Sequence, residues 1–245
     1  MENVRWWSWL LLVSAIVAVV LLVTAPFGYK YHIFALGPSF ISLLIALAAA
    51  VLVLLGSLVM LVVASRQGLT RNRTLVVLAL VLSIFPIGFM APQMIKARSA
   101  APIHDISTDT VNPPQFDKIV AMRKGAANSL KYGAGKLPMK DYVALQEKVY
   151  PNVKSLHTDL SVADAVVHAK DILSAQGLDV VNVDANKGIV EATATTFWFG
   201  FKDDLVVRVT PADKGSTVDV RSVSRVGISD LGVNAKRIVK LLHAF

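Results

Sequence analysis

The residues best suited to chemistry form a polar cluster in the last quarter of the sequence. Two adjacent carboxylates, Asp203 and Asp204, begin it, and several arginines follow. Paired carboxylates close to arginines can bind a metal ion or supply an acid and a base to a reaction. The candidate binding or structural cluster consists of Asp203, Asp204, Arg208, Asp219, Arg221, Arg225, Asp230 and Asn234.

The spacing of these charges also fits a sheet. In the register expected for the last hairpin, Arg208 stands opposite Asp219. Alternate strand residues share a face, so Asp219, Arg221 and Arg225 point the same way. Charged positions on the solvent face of a half-exposed sheet, with Asp230 as a helix cap, explain the pattern without chemistry. We therefore assign no catalytic residue here.

Other catalytic and metal signatures are missing from the sequence. With 0 Cys there is no thiolate ligand or Cys nucleophile. The histidines lack His-x-x-x-His spacing, and no Gly-x-Ser-x-Gly elbow surrounds Ser222 or Ser224. We expect no metal and no cofactor.

An aromatic run lies between two predicted strands. Its rings could line an apolar ligand cavity or rest against a membrane. Packing of alternate rings in the domain core is the simpler interpretation. The candidate apolar contacts are Phe197, Trp198, Phe199 and Phe201.

The N-terminal part predicts a membrane anchor. The chain is 54% hydrophobic, with a mean hydropathy of +0.56. Three apolar runs, about 6–25, 39–65 and 74–95, are long enough to cross a ~30 Å hydrocarbon core. None contains an Asp, Glu, Lys, Arg or His, which argues against a transporter or pump. Pro86 and Pro92 should kink or end the third run.

Positive charge is concentrated in this anchor. Residues 1–98 carry seven Lys/Arg and one Glu, a net +6, whereas residues 99–245 carry 18 Lys/Arg and 16 Asp/Glu, a net +2. A nucleic-acid reader concentrates basic residues on its soluble surface, so we expect no nucleic-acid partner. Three arginines between the second and third runs place loop 66–73 in the cytoplasm. The N-terminus is then cytoplasmic and residues 99–245 form a periplasmic domain.

Residues 99–245 predict an α+β domain in which helices cover an antiparallel sheet. Ser161 caps one helix, which stops at Gly177, and Asp230 caps the last. A shorter helix is expected after Pro138. Turn residues separate the strands, as in consecutive hairpins. The predicted strands are 178–183, 189–196, 205–210 and 217–226.

Several strings in this domain resemble a bacterial family known as domain of unknown function fourteen ninety-nine. They are Pro102–Asp109, Asn112–Pro114, Thr196–Asp204 and Val220–Asn234. The resemblance covers most of residues 100–245 and implies an inner-membrane setting, but it supplies no reaction.

These observations favour a non-enzymatic envelope protein. We expect its periplasmic domain to bind membrane lipid or, as a second option, another membrane protein, as an accessory subunit would. A hydrolase or transferase using Asp203, Asp204, Asp219 and Arg225 is the alternative.

Overall fold

The computed structural model describes residues 3–245. The chain divides into two compact units. One contains the residues up to Arg98 together with Trp198–Gly200, and the other contains Ser99–Phe197 and Phe201–Phe245. Three long apolar helices form most of the first unit, and an antiparallel sheet with helices forms the second. The predicted fold class is confirmed.

Three helices of the first unit can cross a membrane. Helix α1 is Trp6–Lys30, α2 is Leu36–Arg66 and α3 is Thr70–Ser99. At 1.5 Å per residue, even the shortest is about 38 Å long, which exceeds a ~30 Å hydrocarbon core. The helices extend beyond the predicted apolar runs. A helix can continue from the hydrocarbon core into the headgroup region, so its ends need not be apolar.

Prolines do not end these helices. Pro86 and Pro92 were possible end points of the third span, but α3 continues past both to Ser99, and α1 likewise continues past Pro26. A proline removes one backbone hydrogen bond, whereas a helix end inside hydrocarbon would leave several groups unpaired. Continuing the helix past the proline therefore costs less free energy than ending it inside the hydrocarbon.

Small residues dominate the buried positions of the helical unit. Ala15 and Ala18 of α1, Ala46 and Ala50 of α2, and Ala79 of α3 have no exposed area. Without bulky side chains, helix backbones can approach closely, and van der Waals contact can hold them together in lipid.

A polar contact fixes the starts of α1 and α3. Asn72 is buried, and its Oδ1 accepts hydrogen bonds from Ser8 Oγ at 2.5 Å and from the Arg5 backbone N–H at 2.8 Å. Hydrogen bonds of this kind join helices where the surroundings offer few other partners. The contact sets the relative height of the two helices.

The second unit alternates helices and strands, and it contains the predicted hairpins. Strand β5 begins at Lys202 rather than Leu205, so Asp203 and Asp204 are strand residues. The elements are β1 Asp105–Ser107, α4 Lys118–Met122, α5 Met139–Val149, β2 Leu156–Thr158, α6 Val162–Ala175, β3 Asp179–Asp184, β4 Ile189–Thr195, β5 Lys202–Pro211, β6 Ser216–Ser224 and α7 Val233–Leu242.

The sheet has strand order β1-β6-β5-β4-β3, and all its pairs are antiparallel. Strand β2 pairs with the first half of β6 and β1 with the second half, so both lie along one edge. Arg208 pairs with Asp219 and Val209 with Val218, as the hairpin pattern predicts.

One face of the sheet is apolar and lies under α6 and α7. Ser161 Oγ accepts a hydrogen bond from the Asp164 N–H at 3.2 Å and caps α6. Helix α7 contributes Ile238 and Leu241, both fully buried. The predicted cover of two helices is confirmed for this face. Its strand residues include Val190, Ala192, Leu205, Val207, Val209, Val218 and Val220.

Candidate functional site

The other face of the sheet carries the charged cluster, and protein covers it. The expectation of a solvent face is wrong, because the side chains of Asp204 and Arg221 have no exposed area and Asp219 is 4% exposed. Alternation along a strand shows that two faces differ, but not what lies above each. These charges must therefore be paired inside the domain.

The cover is provided by residues 108–132, which we call the covering segment. It includes α4, whose N-terminus is held by Glu191 of β4. The backbone N–H of Asp117 donates to Glu191 Oε1 at 2.7 Å, and that of Lys118 donates to Oε2 at 2.8 Å. Asn182 Nδ2 donates to Oε2 at 2.9 Å. A buried carboxylate thus fastens the covering segment to the sheet.

Arg221 makes the deepest ion pair. Its Nε and Nη2 donate to the two carboxylate oxygens of Asp105 at 2.9 and 2.8 Å. Nη2 also donates to the Leu130 carbonyl at 2.6 Å, and Nη1 donates to the Pro114 carbonyl at 3.2 Å. The guanidinium therefore joins β1, β6 and the covering segment. Two rings lie 5.4 and 5.5 Å from it, those of Phe116 and Tyr132.

Asp204 is the centre of a second group. Arg123 Nη1 and Arg225 Nε donate to its Oδ2 at 2.5 and 2.9 Å. Arg225 Nη2 and Thr193 Oγ1 donate to its Oδ1, both at 2.8 Å. Burial alone would raise the pKa of Asp204, but the hydrogen bonds from Arg225, Thr193 and Arg123 outweigh it and hold the pKa below its usual range. Asp204 is therefore a charged anchor for two arginines.

Arg208 links two carboxylates at the outer part of this face. Its Nη2 donates to Asp109 Oδ2 at 2.9 Å and to Asp219 Oδ2 at 2.8 Å, while its buried Nε makes no hydrogen bond. Asp219 Oδ1 accepts from Thr108 Oγ1 at 3.0 Å and from Ser155 Oγ at 2.5 Å. This group fastens the beginning of the covering segment.

Asp203 lies on the opposite face from Asp204, because successive strand residues alternate. It accepts a hydrogen bond from Arg237 Nη2 of α7 at 3.0 Å. Asn234 Oδ1 accepts from Arg237 Nη1 at 2.6 Å and from Ser222 Oγ at 2.7 Å. The two adjacent carboxylates therefore belong to separate sites and cannot act together on one substrate.

Asp230 is not the N-cap of α7 as predicted, because the helix begins at Val233 and Gly232 occupies the cap position. The Asp230 carboxylate nevertheless accepts hydrogen bonds from backbone N–H groups at the start of the helix. Its Oδ1 accepts from the Gly232 N–H at 2.9 Å and its Oδ2 from the Asn234 N–H at 2.6 Å. Burial raises the pKa of Asp230, although the hydrogen bonds from the Asn234 and Gly232 N–H groups act to lower it. Arg225 does not join strands to this helix, since its partners are Asp204 and the Met122 carbonyl.

The aromatic run is divided between the two units. Trp198 and Phe199 belong to the helical unit, whereas Phe197 and Phe201 belong to the second. The Trp198 ring lies 5.7 Å from that of Phe27 and 5.3 Å from that of Phe89, and the Phe199 ring lies 5.4 Å from that of Phe40. The prediction that alternate rings pack in the core of the α+β domain is therefore wrong for Trp198 and Phe199.

Several partners in the cluster could not be found from the sequence. Arg123 lies 81 residues from Asp204, and Asp105 lies 116 residues from Arg221. No spacing pattern connects residues that far apart. Glu191 offers a local signal, because it is the only charged residue in its strand. The partners that were missed are Asp105, Asp109, Arg123 and Glu191.

The charged side chains of the cluster are paired with one another inside the domain rather than exposed at an open site. Within residues 3–245, no three His, Asp or Glu side chains are placed to hold a metal ion. An open cavity of about 700 Å³ lies near the start of β6, at the opposite end of that strand from Arg225, and does not include the cluster. It is lined by His157, Thr158, Asp159, Ala212, Asp213 and Lys214.

Replacing Asp204 with asparagine tests whether this carboxylate is structural. The change leaves the buried Arg123 and the partly buried Arg225 without their counter-charge, and breaking a buried pair costs about 3–5 kcal/mol. We expect Asp204→Asn to lower the unfolding free energy by that amount, measured by denaturation in detergent. Asp117→Asn, which breaks an exposed pair with Lys187, is the matched control and should change stability little. Equal stability of the two variants would contradict a structural role.

Comparison with known proteins gives one assignment. Residues 105–245 match the family model described as "Protein of unknown function (DUF1499)". Neither the curated proteins nor the solved structures contain a match. The matched region includes β1, the covering segment and the whole sheet, so it contains every ion pair described above. The chain belongs to the DUF1499 family.

Proposed function

We propose that this protein is a non-enzymatic component of the bacterial inner membrane. Its three helices anchor it, and its α+β domain lies in the periplasm and binds a membrane-protein partner or a lipid-like ligand. A role as an accessory subunit fits this combination of a three-helix anchor and a single α+β domain.

The observation that carries the proposal is the internal use of the charged cluster. A general acid or base must reach its substrate, directly or through one water. Asp204 is instead buried and accepts four hydrogen bonds, and Arg221 is buried against Asp105. These groups hold the domain together, which leaves binding by its surface as the better-supported activity.

The alternative, a hydrolase or transferase, has less support from the geometry. Asp203 and Asp204 point to opposite faces, and each is paired with arginine. Asp219 accepts from Arg208, Thr108 and Ser155. A reaction at this cluster would require the covering segment to leave the sheet and expose several charges.

The proposed orientation comes from the charges beside the helices. Arg66 is the last residue of α2, and Arg71 and Arg73 lie in the first turn of α3. Short loops rich in arginine stay in the cytoplasm. With three crossings, the domain that follows α3 is then on the other side of the membrane.

Native mass spectrometry of the full-length protein, extracted gently from its own membrane, tests the binding proposal. We expect a reproducible protein or lipid adduct that survives moderate collisional activation. An unrelated three-span protein purified in the same detergent is the control for adventitious lipid. Recovery of only the bare chain, under conditions where the control also carries no lipid, would contradict the proposal.

The orientation can be tested separately, because the chain contains 0 Cys and single cysteines can be introduced without background. Lys214→Cys lies in the exposed β5–β6 turn, and Gln67→Cys lies in the exposed loop between α2 and α3. In intact spheroplasts, a membrane-impermeant maleimide should label Lys214→Cys and leave Gln67→Cys unlabelled until the membrane is opened. The reverse pattern would place the domain in the cytoplasm.

A further inference from the structure

The connection between β6 and α7 presents apolar side chains at the surface. We call residues 227–233 the apolar loop. Ile228 is 72% exposed, Leu231 39% and Val233 43%. Single exposed apolar residues are common on soluble domains, but three within six residues are a local concentration of exposed apolar side chains, which favours an interaction site.

This exposure does not come from a loose loop, because hydrogen bonds hold its backbone. Asn128 Nδ2 donates to the Gly227 carbonyl at 2.9 Å, and His104 Nδ1 lies 3.3 Å from the Ile228 carbonyl. Ser229 Oγ donates to the Ala101 carbonyl at 2.7 Å. The fold thus holds the apolar side chains outward in a defined shape.

The loop also contains an unfavourable backbone conformation. Leu231 has a φ of 56°, in the left-handed region that costs a side-chain-bearing residue about 1–2 kcal/mol. Asp230 stabilises this turn by accepting from the N–H groups of Gly232 and Asn234. A leucine that is both strained and exposed adds little to folding, so its place points to a role outside the folded domain.

Chain connectivity places this loop beside the membrane. The Ser229 hydroxyl is hydrogen-bonded to the Ala101 carbonyl. Ala101 comes two residues after Ser99, the last residue of α3. Two residues span at most about 7 Å. The end of α3 carries Lys96 and Arg98, whose long side chains can extend to lipid headgroups.

The topology agrees with this placement. Strand β6 ends at Ser224 and pairs there with Asp203 at the start of β5. The aromatic run between β4 and β5 and the apolar loop after β6 are therefore at the same end of the sheet. The β5–β6 turn is at the other end, about 30 Å away along a nine-residue strand.

We propose that the apolar loop inserts Ile228, Leu231 and Val233 into the lipid bilayer, at the boundary between headgroups and acyl chains. The inference rests on the proposed function in taking the domain to act at the membrane, and it specifies lipid as the partner of this surface. A bilayer is favoured over a soluble partner because the loop is hydrogen-bonded to Ala101, only two residues after the end of the third apolar helix.

Lipid contact can be measured on the full chain in phosphatidylcholine–phosphatidylglycerol vesicles. Ile228→Cys is labelled with an environment-sensitive fluorophore, and Lys214→Cys at the far end of the sheet is the matched control. We expect lipids with a spin label near the headgroup to quench the Ile228 position several-fold more than the Lys214 position. Iodide in the water should quench the Lys214 position more.

Equal quenching of the two positions by the lipid spin label would overturn the inference. If the Ile228 position is instead shielded from both iodide and spin-labelled lipid, a second copy of the chain or a protein covers the loop, and the inference is also wrong. Val233→Cys provides a second reporter, should labelling at Ile228 disturb the loop. After either of these quenching results, a protein or lipid adduct in native mass spectrometry would still support the proposed function. Failure of the lipid-insertion inference can therefore be distinguished from failure of the proposed function.

Discussion

A guanidinium that is removed from water must find a partner for its charge, and this constraint organises the α+β domain. Arg221 has no exposed area, and Asp105, Leu130 and Pro114 supply its acceptors. Those acceptors come from β1 and from the covering segment, far from Arg221 in sequence. Burying this one side chain therefore requires the N-terminal part of the domain to fold across the sheet.

The same requirement recurs along the face. Asp204 needs Arg123 and Arg225, and Glu191 needs the N-terminus of α4. The sheet consequently has two different interiors, one apolar beneath α6 and α7, and one charged beneath the covering segment. An apolar interior tolerates small shifts in packing, whereas paired charges permit few arrangements. We therefore infer that the charged interior sets the position of the covering segment. Asn128 of that segment donates a hydrogen bond to Gly227, so the charged interior also helps to position the apolar loop.

Local patterns in the sequence predicted much of this fold. Apolar runs gave the three membrane helices, and the turn residues gave the hairpins and the pairing of Arg208 with Asp219. The covering segment could not be predicted, since its contacts with the sheet are long-range. The charged residues of β6 were likewise expected to be exposed to solvent. The alternation of polar and apolar residues along a strand is the same whether water or protein covers the polar face.

The buried charges form a structural framework for the α+β domain, and the Asp105–Arg221 pair tests this role most directly. A double-mutant cycle compares the unfolding free energies of Asp105→Leu, Arg221→Met and the double variant. Removing one partner of a buried pair costs about 3–5 kcal/mol, whereas replacing both with apolar residues is far less damaging. The framework predicts that the double variant is more stable than either single variant. If either single variant unfolds like the unmodified protein, Arg221 does not hold the domain together and the buried charges are not a structural framework.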